Sequence, residues 1–194
     1  MNNNKIYQII REEIDNLFSL TIYHGDNYST SYIDPRLMLQ GNNQEGVGIY
    51  FSNKLETARH YGKNIVKTKV NMNSFVNSRD SARDIISLNN MIIFLKTAFK
   101  QHPEDAFLFM SDYTYATNVD DITEKSFRET AKTLMNDEIR NSQITLGDLL
   151  GIETFVKLWN DLFPNIHGTY IENQTGDYWF AIINTDYKLI KLNE

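Results

Sequence analysis

The chain has 194 residues, with 19 Lys plus Arg against 25 Asp plus Glu, a net charge of −6, no cysteine and 41% hydrophobic residues. That size suits one domain, or one domain with an insertion, and allows a buried core. The missing thiol excludes disulfides, Cys-ligated zinc or iron–sulfur clusters and a cysteine nucleophile, and the acidic balance argues against wrapping duplex nucleic acid, which needs a dense cationic footprint.

Met1 to Lys5 is polar and lacks the basic and apolar regions of a secretory signal. The longest apolar runs, such as Met91 to Leu95, fall far short of the roughly 18 residues of a membrane span, so a cytoplasmic protein without membrane contact is expected. From Lys5 to Leu20, Ile6, Ile9, Ile10, Ile14, Leu17 and Phe18 recur at spacings of three and four between charged residues, which predicts an amphipathic helix. Thr21 to His24 is a β-prone run stopped by Gly25, and Gly46 to Ser52 is another. Lys54 to Tyr61 reads as a helix with Gly62 as its C′ glycine. Asn64 to Asn71 sets Val66, Thr68 and Val70 against Lys67 and Lys69, the alternation of a half-buried strand.

From about 78 to 163 the pattern turns helical, in pieces at Ala82–Leu88, Asn90–Phe99, Glu104–Met110, Glu124–Arg140 and Leu146–Phe163. After Pro164 strand character returns at Ile166–Ile171, Tyr178–Ile183 and Leu189–Leu192, with a turn at Asn173–Asp177. Strands, then helices, then strands predict a single α+β domain whose sheet is built from both ends of the chain.

Residue by residue, the candidates for chemistry each have an ordinary structural alternative. His24, in a Tyr-His-Gly strand end, suits a structural hydrogen bond as well as a site. Gly46 and Gly48 suit a turn, Tyr50 and Tyr61 a core, and Gly176-Asp177 a hairpin. His60, His102 and His167 lack zinc-ligand spacing, so no metal is expected. Asp120-Asp121 and Glu12-Glu13 read as surface or helix-start charges, and His167-Gly168 as a turn or core element.

Taken together, three separated segments resemble the ADP-ribosyltransferase superfamily, in its diphtheria-toxin-like and poly(ADP-ribose)-polymerase-like branch with the His-Tyr-Glu signature. His24-Gly25-Asp26 is similar to the first motif, although Asp26 stands where a small hydroxyl residue is usual. Gly46-Val47-Gly48-Ile49-Tyr50-Phe51, with Tyr61 eleven residues after Tyr50, resembles the second and is the specific match. Asp177-Tyr178-Trp179-Phe180 resembles the third, with Asp177 in place of glutamate and Glu172 five residues earlier as a rival. The resemblance spans about Thr21–Val76 and Asn165–Leu192, and Val70–Val76 also resembles the strand and turn that follow in phage-encoded and polyvalent-protein relatives.

The resemblance implies a split β-sandwich carrying a helical insertion at about 78–163, and NAD as substrate without a metal. It implies His24 on a ribose hydroxyl, Gly25 presenting backbone groups to the carboxamide, Tyr50 and Tyr61 around the nicotinamide ring, Phe51 in the same NAD-binding set, and Asp177 or Glu172 near the ribose. The implied reaction is mono-ADP-ribosyl transfer to a macromolecular acceptor, protein in preference to nucleic acid given the charge. NAD hydrolysis, or an inactive NAD- or ADP-ribose-binding or interaction module, are the alternatives. Such a residue set suits the chemistry: nicotinamide leaves as a neutral molecule and the developing charge is an oxocarbenium ion, so the protein's task is positioning and electrostatics.

Overall fold

The computed structural model describes residues 18–27, 32–38 and 46–192. The helix expected over Lys5–Leu20 lies outside them as far as Leu17, and its final residues behave otherwise: Ser19 and Leu20 open strand β1 (Ser19–Asp26). The partner strand explains this. β3 (Asn64–Asn71) is as long as β1 and pairs with it antiparallel from Ser19↔Asn71 to Asp26↔Asn64, so Ser19 and Leu20 complete a ladder. In β3 the expected alternation holds from Val66 onward, with Val66, Thr68 and Val70 buried and Lys69 exposed, but Ile65, on the face of Lys67 and Lys69, is buried as well.

β2 (Ile49–Ser52) and helix α1 (Leu55–Tyr61) follow the sequence reading closely. Gly62 does not. It ends α1 with φ 178°, extended backbone and not the left-handed C′ conformation, and it is glycine for another reason: a Cβ there would lie 2.0 Å from the Asp26 carbonyl carbon and oxygen. Gly25 is tied to the same packing, since its Cβ would lie 1.9 Å from the Ala58 carbonyl oxygen of α1. Two glycines therefore let α1 lie directly on the end of β1.

The strand β4 (Phe75–Asn77) was not singled out as an element by periodicity because three residues carry too little of it. It pairs parallel with β5 (Gly168–Glu172), which continues antiparallel to β6 (Tyr178–Ile182). With β7 (Ile190–Lys191) the seven strands form one sheet in the order β4-β5-β6-β2-β1-β3-β7. The fold is α+β, as the strand–helix–strand order predicts. One join differs from the others: β1 meets β2 at a single register pair, Tyr23↔Ser52. The sheet is thus two halves held together at a narrow seam.

Between β4 and β5 come six helices, α2 (Ala82–Ile85), α3 (Leu88–Gln101), α4 (Pro103–Ser111), α5 (Glu124–Leu134), α6 (Ile139–Leu150) and α7 (Ile152–Leu162). Two expected long helices are each broken. Glu124–Arg140 stops at Leu134 because the next carbonyls are claimed elsewhere: Met135 accepts from the Arg83 N–H and the Ser81 hydroxyl, and Asp137 from the Ala82 N–H. Leu146–Phe163 breaks at Gly151, whose φ of 72° interrupts the helix between α6 and α7.

One core runs through sheet and helices alike, joining Ile22, Phe51 and Phe180 of the strands to Met91 and Phe155 of the helices. Phe94 stacks on Phe155 and Phe163, and the Trp159 indole N–H donates to the Ile166 carbonyl at 3.0 Å, fastening α7 to the segment that leads into β5. Among the described residues no helix is long and apolar enough to cross a membrane.

Candidate functional site

At the seam the sheet leaves a cleft of about 790 Å³, within the range of small-molecule sites. Register and alternation bring its wall together from distant parts of the chain. Tyr23 pairs with Ser52, Ser52 with Trp179 and Trp179 with Ile171, so all four point to one face, which they share with Gly25 and Tyr50. Each of these six residues lines the cleft. The opposite face carries Phe51, Phe180 and Ile182 into the core.

His24 alternates to the Phe51 side, with ring centroids 5.3 Å apart, yet it borders the cleft through the open seam. Its Nδ1 lies 2.7 Å from the Tyr50 carbonyl oxygen. A carbonyl can only accept, so Nδ1 carries the proton, and in the neutral ring Nε2 is left with a lone pair. Nε2 stands 3.6 Å from Asp26 Oδ2, close enough for an ion pair if the ring protonates and too far for a good hydrogen bond.

The aromatic residues divide into support and surface. Phe51 is 2% exposed and backs the His24 ring; it borders the cleft but offers it little surface. The Tyr50 hydroxyl donates to the Gly46 carbonyl at 2.7 Å, which fixes the ring on its own lead-in segment. Tyr61, at the end of α1, is 59% exposed and meets Trp179 edge to face at 5.9 Å. That pair forms an accessible aromatic corner of the cleft.

The two carboxylates offered by the sequence are placed differently. Asp177 is paired with the Lys54 ammonium, accepts from the Thr175 hydroxyl at 3.0 Å, and is not among the residues lining the cleft. The Lys54 ammonium, followed by the Thr175 hydroxyl and the Asn173 amide, holds its carboxyl below the ordinary carboxylate range. The turn around it is organised by Asn173, whose Oδ1 accepts from the backbone N–H groups of Thr175 and Asp177. Glu172 lines the cleft, is exposed, and lies beside Tyr178, whose phenol it pushes to a higher pKa. Of the two carboxylates, Glu172 borders the cleft and Asp177 is turned to Lys54 and Thr175.

Among the lining residues to which sequence reasoning assigns no role, two matter most. Trp179 stands in the segment that resembles the third motif without a role of its own there, and strand register together with the Tyr61 contact gives it a place at the site. Arg79 follows β4, the strand that periodicity did not reveal, and it too borders the cleft. Two of the other three histidines keep to structure: His60 bonds the Glu56 carbonyl within α1, and His167 bonds the Tyr187 hydroxyl at 2.7 Å. Among the described residues no three His, Cys, Asp or Glu side chains group as a metal site would require.

No protein-family model matches this chain, and no curated protein matches it. Among solved structures it is similar to the crystal structure of an anti-CRISPR protein, with 12% identity and a TM-score of 0.34 over 90% of this chain and 96% of that one. A likeness of that strength carries no argument about fold or function.

Proposed function

We propose that the chain is a mono-ADP-ribosyltransferase that moves ADP-ribose from NAD to a macromolecular acceptor, a protein in preference to nucleic acid, with release of nicotinamide. The observation that carries this reading is the convergence of three segments far apart in sequence, around His24, Tyr50 and Glu172, on one cleft at the seam of the sheet. The first two are segments that resemble the family's motifs, Glu172 is the rival acid five residues before the third, whose Trp179 also borders the cleft, and the narrow seam supports a split β-sandwich with the helices of 78–163 as an insertion.

On this reading His24, oriented by the Tyr50 carbonyl, uses Nε2 to accept a ribose hydroxyl. Tyr50 and Tyr61, with Trp179 behind Tyr61, flank the cationic nicotinamide ring, where a cation over an aromatic face gains about 0.5–2 kcal/mol. Gly25 leaves the backbone open to the carboxamide. The nicotinamide–ribose bond breaks with its electron pair leaving on the ring nitrogen, and Glu172 stabilises the oxocarbenium ion and aligns the acceptor. Attack by the acceptor closes the new bond at the same carbon, and the acceptor's proton passes to the carboxylate or to water.

A second reading, an NAD- or ADP-ribose-binding module without turnover, is favoured by the commitment of Asp177 to Lys54. Incubating the protein with adenylate-labelled NAD and a cell lysate separates these. Label on a discrete macromolecule supports transfer, free ADP-ribose alone makes the protein an NAD hydrolase, and intact NAD despite binding leaves the module.

A further inference from the structure

Arg79 is a cation among the cleft's lining residues that nothing in the proposed reaction employs. An exposed arginine in water needs no explanation, but the setting of this one does. Its backbone is pinned on both sides. Arg79 N–H donates to Asn77 Oδ1 at 3.0 Å, Ser78 N–H to the Tyr170 carbonyl at 2.7 Å, and the Asp80 carbonyl accepts from Ile139 N–H at 2.8 Å. The guanidinium, by contrast, makes no ion pair or side-chain hydrogen bond with any described residue, in a chain holding 25 carboxylates against 19 cationic side chains.

The nearest expected partner is close in the fold. β4 runs parallel to β5 with Asn77 opposite Tyr170, so Arg79, just past the end of β4, and Glu172, the last residue of β5, each stand two residues beyond that register pair, at the same end and on the same cleft. They form no ion pair, and Glu172 is paired in register with Tyr178. A cation with a fixed backbone, unpaired among the described residues and bordering an aromatic-cornered cleft, is arranged for an anion that arrives with a ring system.

We propose that Arg79 binds the diphosphate of a nucleotide in this cleft, its planar fork taking two phosphate oxygens. The assignment rests on the NAD reading for the identity of the ligand, and it makes phosphate recognition, not the ring, the source of selectivity for dinucleotide over nucleoside.

The test is calorimetric titration of the full chain with ADP and with adenosine, for the native protein, Arg79→Ala and Arg79→Lys, alongside nicotinamide release from NAD by the native protein. The native protein binds ADP more tightly than adenosine. Arg79→Ala weakens ADP by about tenfold to a hundredfold, with adenosine and the melting curve unchanged, and Arg79→Lys recovers part of the loss. Equal binding of ADP and adenosine to the native protein, no binding of ADP, or an ADP preference that survives Arg79→Ala overturns the assignment. Nicotinamide release reports separately on the enzyme: release with an ADP preference indifferent to Arg79 sinks the assignment alone, and Arg79-dependent ADP binding without release keeps it and sinks the transferase.

Discussion

His24 and Tyr50 are bonded across the narrowest join in the sheet: the imidazole Nδ1–H meets the Tyr50 carbonyl at 2.7 Å, beside the single register pair Tyr23↔Ser52 that unites β1 with β2. A side chain supplies there what the backbone ladder does not. The same contact orients a functional nitrogen and holds two half-sheets together, so its removal has two separable consequences.

His24→Ala is expected to lower nicotinamide release from NAD by about a hundredfold or more, the scale on which one positioned polar group matters in a transition state. Its structural cost is smaller, about 1 kcal/mol for one net hydrogen bond, or a fall of ~2–4 °C in melting temperature for a domain of this size. A melting shift with turnover intact would reduce His24 to a strut.

Glu172→Gln and Asp177→Asn should act oppositely. Glu172→Gln is expected to abolish turnover by about a hundredfold while NAD still binds, because the neutral amide keeps the shape and loses the charge. Asp177→Asn is expected to leave turnover near native and to loosen the 173–177 turn, since it removes the Lys54 ion pair. Steady-state kinetics with thermal melting of both variants decides the matter, and the reverse pattern returns the acid to Asp177.

Gly25→Ala is expected to damage stability beyond the loss of backbone freedom. The added methyl would sit 1.9 Å from the Ala58 carbonyl oxygen, and that atom belongs to a helix backbone that cannot swing aside. Overpacking of this kind costs about 1–3 kcal/mol. Displacing α1 would also carry Tyr61 away from Trp179, so quenching of tryptophan fluorescence by nicotinamide should weaken in parallel with the denaturant midpoint.

His167 should leave a signature in stability against pH. Burial lowers its pKa below the ordinary imidazole value of 6.5, against smaller opposing effects from the Pro164 backbone and Asp186. Below pH ~6.5 the unfolded chain binds this proton and the folded chain resists it, so folding stability declines as pH falls from there toward the lowered folded value, and above it this group contributes no slope. Urea midpoints measured from pH 8 to pH 5 should show the decline, and His167→Gln should flatten it.

Some of this molecule is written locally. The alternation of Asn64–Asn71 predicts β3 to the residue, and the Asn173–Asp177 turn follows from its Asn, Gly and Asp chemistry. Where the order of elements mattered, strands at both chain ends around a helical middle were enough to predict the α+β class. Each of these rests on contacts near in sequence.

What failed or stayed open depended on partners far away. The stop at Leu134 is imposed by Ser81, Ala82 and Arg83, and no local pattern near Met135 announces it. What separates the surroundings of Asp177 from those of Glu172 is Lys54, more than 100 residues from either acid. Trp179 joins the site through strand register and the Tyr61 contact, and Arg79 through its place just past β4. The sequence by itself determined which residues could bind and react, because side-chain chemistry is local; the tertiary structure decided which of them meet, because register and helix packing bring together groups that the chain keeps apart.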